Sequence, residues 1–78
     1  MKIRLNRLPY MCPVLQDSNG AGSGHYIFGK EWAGVTIHLQ KESEDDRFWT
    51  GKIATHYEDK DAWMQVELIK ECFDVLEE

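Results

Sequence analysis

The sequence predicts one small domain that is mainly β (α+β): an antiparallel sheet with a short helix at the C-terminus. Three observations predict it. Apolar residues alternate with polar ones over residues 2–8 and 35–40. Turn-forming or strongly charged stretches separate the alternating runs. The segments flanking residues 58–61 also pair into a hairpin whose two faces sort by polarity. Seventy-eight residues, 42% of them apolar, supply a single core and no second domain, so residues 1–78 are one unit.

The elements follow in order. In "KIRLNRL", Ile3 and Leu5 alternate with Lys2, Arg4 and Asn6, giving a half-buried strand with one basic face that Pro9 stops. Residues 9–24, with Pro13 and then "DSNGAGSG", read as a glycine-rich loop, because small polar residues and glycines carry little steric preference for regular structure. "HYIF" reads as a short strand, and "GKEWAG" as a turn using Gly29 and Gly34. Val35, Ile37 and Leu39 then alternate with Thr36, His38 and Gln40 in a strand with one buried face, and "KESEDD" reads as a charged turn.

With "EDKD" as a four-residue hairpin loop, Tyr57 faces Ala62, His56 faces Trp63, Thr55 faces Met64, Ile53 faces Val66 and Lys52 faces Glu67. One face of this pair collects Ile53, Thr55 and Tyr57 with Val66, Met64 and Ala62; the other sets Lys52 against Glu67. The same C-terminal residues also satisfy a helical period. Ile69, Cys72, Phe73 and Leu76 keep the i, i+3, i+4, i+7 spacing, so the strand is expected to end near Leu68 and a short helix to follow. The alternative is one long helix from about residue 61. With short antiparallel connections, the layout resembles a small half-barrel of the SH3-like class, or an open antiparallel sheet crossed by the long helix.

Charge is divided along the chain. The total is −5, made up of +3 over residues 1–41 and −8 over residues 42–78. An acidic surface repels phosphate, so nucleic acid could be held only by a local patch such as Lys2, Arg4 and Arg7. No apolar run is long enough for a membrane span or a signal-peptide core, and a cytoplasmic protein is expected. In such a compartment Cys12 and Cys72 are read as reduced thiols.

The chemistry of sites is thin. The histidines His25, His38 and His56 are scattered, with no paired ligand spacing for zinc. Glu42, Glu44, Asp45 and Asp46 lack the central glycine and terminal glutamate of a calcium loop. Gly20, Gly22 and Gly24 precede a strand rather than a helix and are followed by no Gly-Lys-Ser/Thr, so they are not a phosphate loop. Cys12, with His25 or His56 as base, is the only nucleophile combination, and no spacing joins them. No enzyme activity, metal or cofactor is expected.

The aromatics are the more informative set. Nine in a chain this short exceed what a minimal core requires, and alternation sends Phe48 and Trp49 to opposite faces of one strand. The expected binding residues are Trp32, Trp49, Trp63 and His56, with Tyr26 and Phe28 beside the glycine loop. The expected partner is a protein or a second copy, so the domain is a homo-oligomer or an interaction module, with no membrane contact. The acidic turns would steer a basic partner. An extreme form of this reading is an acidic inhibitor that mimics nucleic acid.

"GSGHYIFGKEWAGVTIHL", residues 22–39, resembles the hairpin phrase of AbrB-like swapped-hairpin proteins, with His25, Lys30, Glu31, Trp32 and Gly34 in matching register and Gly29 where that family carries proline. The resemblance covers these eighteen residues and implies an obligate dimer that binds DNA through basic residues near the hairpin. Here those would be Lys30, Lys2, Arg4 and Arg7.

Overall fold

The computed structural model of the chain describes residues 1–20, 22–54 and 62–78. Among the described residues eight strands run in the order β1 (Lys2–Leu5), β2 (Tyr10–Asp17), β3 (Gly22–Phe28), β4 (Ile37–His38), β5 (Gln40–Glu44), β6 (Phe48–Ala54), β7 (Trp63–Ile69) and β8 (Phe73–Glu77). All pairings are antiparallel. They form a three-stranded sheet, β4-β1-β8, and a five-stranded sheet, β3-β2-β7-β6-β5. The expected mainly β, antiparallel domain is present, as two sheets that do not close into a barrel.

The chain changes sheet at four corners, one of them between β3 and β4, where a 3-10 turn at Lys30–Trp32 intervenes. Between β1 and β2 it turns at a cis Leu8–Pro9 bond. Between β4 and β5 it passes through the single buried residue Leu39, and between β7 and β8 through a 3-10 turn at Lys70–Cys72. Strands that switch sheets let two short sheets share one interior. That interior is a single cluster built from Ile3 and Leu5 of β1, Tyr10 and Cys12 of β2, Phe28, Ile37, Leu39, Trp49 and Ile53 of β6, Met64, Val66 and Leu68 of β7, and Cys72 with Phe73.

Four expectations are corrected. Most of residues 9–24 is strand rather than loop: β2 and β3 pair as a hairpin, and at the end of β2 the chain turns, with Gly20 N–H donating to Asp17 O at 3.1 Å and Asn19 N–H to Asp17 Oδ1 at 2.9 Å. Pro13 is tolerated because the ladder between β2 and β7 begins at Val14, so the donor that proline lacks is not required by that neighbour. The "KESEDD" turn is also mostly strand. β5 runs to Glu44 with every residue exposed, and an edge strand wet on both faces shows no alternation to read.

The C-terminal helix is absent. β7 continues to Ile69, and after the 3-10 turn β8 pairs with β1, Asp74 opposite Arg4 and Phe73 opposite Leu5. The turn shifts the phase of the alternation, so that Cys72 and Phe73 are buried side by side while Val75 and Leu76, on the apolar side of the hypothetical helix, are 46% and 42% exposed. The β6–β7 register, finally, is Ile53 with Met64 and Lys52 with Gln65, two residues from the expected pairing. A shift of two preserves the faces, so Ile53, Met64 and Val66 still point inward. Thr55, His56 and Tyr57 of that expected hairpin lie outside the described residues.

Candidate interaction surface

The β2–β3 hairpin divides its side chains by strand alternation. Tyr10 and Cys12 point into the core, as do Phe28 and, partly, Val14 and Tyr26. Met11, Pro13 and Leu15 of β2 and His25 and Ile27 of β3 form the opposite face. Met11 and Ile27 are direct cross-strand partners and are 58% and 60% exposed; Pro13 is partnered with His25. Leu15 continues the apolar row at a bulge in the β2–β7 ladder. This outer face carries no Lys, Arg, Asp or Glu.

Beneath it the hairpin is braced by rings. Tyr26 meets Phe28 edge-on with centroids 4.9 Å apart, and Phe28 meets Trp32 at 4.9 Å. The Trp32 indole N–H donates to the Tyr26 hydroxyl at 3.0 Å. Phe28 leads through Tyr10 (5.9 Å) to Phe73 (5.3 Å) and on to Trp49 (6.2 Å), a continuous aromatic path across the core. Edge-to-face contacts of this kind add to the burial of the rings themselves.

The expected binding residues are therefore dispersed. Trp49 and Phe28 are core, 4% and 0% exposed, and do not reach a partner. Of the adjacent pair at the start of β6, Phe48 is the one turned outward, and it is half-buried. Tyr26 and Trp32 come together, half-buried, as the brace under the hairpin. Trp63 stands apart at the start of β7, with Lys52 Nζ 4.4 Å from its ring centroid, on an open groove of about 460 Å³ lined also by His38, Gln40 and Ile53. His56 lies outside the described residues. Met11, Pro13, Leu15 and Ile27 were missed because two prolines and the glycine run made residues 9–24 read as loop; the signal present was the unbroken apolar run from Tyr10 to Leu15, the length of a strand and out of keeping with a solvated loop.

The charged groups are largely occupied locally. Lys2 lies 3.7 Å from Glu77, and Arg4 3.9 Å from Asp74, so β8 places acids along the basic strand. Glu42 accepts from Gln65 Nε2 at 2.6 Å. Glu44 accepts from both Lys41 and Lys70, which hold its carboxyl down to about 2. Asp45 accepts from the Arg47 and Phe48 amides, both at 2.8 Å, and is likewise held below its ordinary value. Cys12 is buried in β2, and burial pushes its thiol up to about 12, the opposite of what a nucleophile needs. Both cysteines are free thiols. Among the described residues no group of His, Cys, Asp and Glu is arranged to hold a metal ion, and no helix is long and apolar enough to cross a membrane.

Comparison of the chain with protein-family models, with curated proteins and with solved structures gives no match.

Proposed function

We propose that this chain is a non-enzymatic protein-interaction domain that binds a polypeptide through the outer face of the β2–β3 hairpin. The observation that carries this reading is the exposed apolar row of Met11, Leu15 and Ile27 on two paired strands, flanked by Pro13 and His25 and free of charge. Contiguous apolar surface of this kind is where soluble proteins meet partners. The ring brace of Tyr26, Phe28 and Trp32 supports it further, since a rigid hairpin loses little entropy on binding. Trp32 thus serves as support beneath this surface rather than as an anchor upon it.

The DNA-binding reading has less support: Lys2 and Arg4 lie beside Glu77 and Asp74, which leaves a weakened patch for phosphate. The acidic-mimic reading is weakened similarly, because Glu42, Glu44 and Asp45 are engaged within the chain. The test is a photo-crosslinking amino acid placed at position 27 and, separately, at position 42 on β5. Interaction through the hairpin predicts one dominant protein adduct from position 27 and none from position 42. Equal, diffuse labelling from both positions would overturn it.

A further inference from the structure

A sheet leaves unpaired backbone donors and acceptors along each outer strand, and proteins normally block such edges by shortness, charge or bulges. Three of the four edges here are blocked. β4 has two residues. β5, "QKESE", carries Lys41, Glu42 and Glu44 and a bulge between Lys41 and Ser43. β8 carries Asp74 and Glu77, with an irregularity in its pairing to β1. β3 has none of these devices. It is seven residues long, "GSGHYIF", without Lys, Arg, Asp, Glu or proline, and it is the outermost strand of the larger sheet.

We infer that β3 is a self-complementary dimerisation edge, on which a second copy of this chain adds its own β3 in antiparallel register about a two-fold axis. The inference rests on the reading of the hairpin as an interaction element: the second copy adds at its edge, in the plane of the sheet, and leaves the outer face open. Three features select a second copy. An antiparallel strand pair is related by a two-fold axis, so one edge supplies both halves of the interface. Elsewhere two chains of net charge −5 would oppose like charges, whereas β3 and the outer face beside it bring no charged side chain to the contact. The assembly also closes. Pairing β3 with β3 yields a ten-stranded sheet ended on both sides by the charged, bulged β5, so growth stops at two copies rather than continuing as a fibre. Across the new pair the Ile27 side chains of the two copies fall on the same outer face, extending the apolar row of Met11 and Leu15 into one continuous strip.

Sedimentation equilibrium of the purified 78-residue chain, from micromolar to millimolar protein, tests this directly. The expected mass rises from 9.1 kDa toward twice that value with concentration. Ile27→Lys, at a position 60% exposed and so without cost to the core, is expected to remain at 9.1 kDa throughout, because each copy then brings a lysine to the shared edge. Glu42→Gln on β5 is expected to associate as the unaltered chain does. Circular dichroism of each variant verifies that it is folded, and Met11→Lys, on the neighbouring strand, substitutes if Ile27→Lys is not. A mass of 9.1 kDa at every concentration overturns the dimer, as does a dimer that survives Ile27→Lys. A monomeric chain whose position-27 crosslinker still captures one foreign protein refutes the dimer while leaving the interaction reading standing. A monomer that captures nothing refutes both.

Discussion

Gly51 in the middle of β6 is where β5 passes closest to its neighbour. A Cβ at this position would run into the Gln40 carbonyl oxygen and lie 3.0 Å from Leu39 Cδ1, a clash with backbone that no rotamer change relieves. Gly51→Ala is therefore expected to destabilise the domain by about 3 kcal/mol, read as a lower urea midpoint; an unchanged midpoint would contradict the close approach. Tyr10 has a different role. Its ring is core, and its hydroxyl accepts the Ile69 N–H at 2.9 Å, substituting for a strand partner where β2 no longer runs beside β7. Tyr10→Phe leaves that partly buried donor unpaired and is expected to cost roughly 1–2 kcal/mol in the same measurement, with the ring packing retained. Neither role was legible in the sequence. A lone glycine between Thr50 and Lys52 and a tyrosine after a proline acquire their meaning only from residues eleven and fifty-nine positions away. Alternation did establish that Phe48 and Trp49 face opposite ways. It could not say which was inside, since both rings suit either face and the choice depends on the Phe73 ring opposite.

The elements that were read correctly are those with one wet and one dry face. β1, β3 in its latter half, β6 and β7 all show the period of two, and the β6–β7 faces survived a register error of two residues because parity was kept. The misread elements are β2 and the start of β3, where prolines and glycines read as loop, and those whose burial pattern departs from the period: β5, exposed on both sides, and β8, where a 3-10 turn resets the phase and a helical period fits by coincidence. β5 is held by its ladder to β6, with ion pairs rather than apolar burial added to it. Glu44 links Lys41 in its own strand to Lys70 at the corner after β7, and its carboxyl falls from an ordinary 4.5 to about 2 as those two ammonium groups donate to it. A carboxyl with a lower value folded than unfolded stabilises the fold above its unfolded value, and that contribution is lost as pH falls from about 4.5 toward about 2. Glu44→Gln is expected to flatten the decline of stability across that interval, and high salt to shrink the difference, because the group is exposed and screened. Urea midpoints taken through the interval check this; parallel curves for the two proteins would show that the pair of lysines contributes nothing.

At the scale of the whole molecule, two small sheets share one core, and three of four sheet edges are protected while the fourth is bare. The single-domain, mainly antiparallel architecture was legible because hydrophobic period and turn chemistry are local properties. The interaction surface was not, because it depends on which strand ends up outermost, and strand order is a consequence of the complete topology. The same reasoning explains why the aromatics misled. Their number signals large burial, yet six of the nine are spent on one internal path from Trp32 to Trp49, and the exposed large apolar side chains are aliphatic: Met11, Leu15 and Ile27 on the hairpin, with Val35, Val75 and Leu76 elsewhere. Amide hydrogen exchange of β3 and β5, compared in dilute and concentrated solution, tests the bare edge most directly. Every second amide of His25–Phe28, pointing away from β2, is expected to exchange rapidly in dilute protein and to slow on concentration, while the outward amides of β5 stay fast throughout. Outward β3 amides equally fast at both concentrations, or a slowing confined to β5, would contradict it.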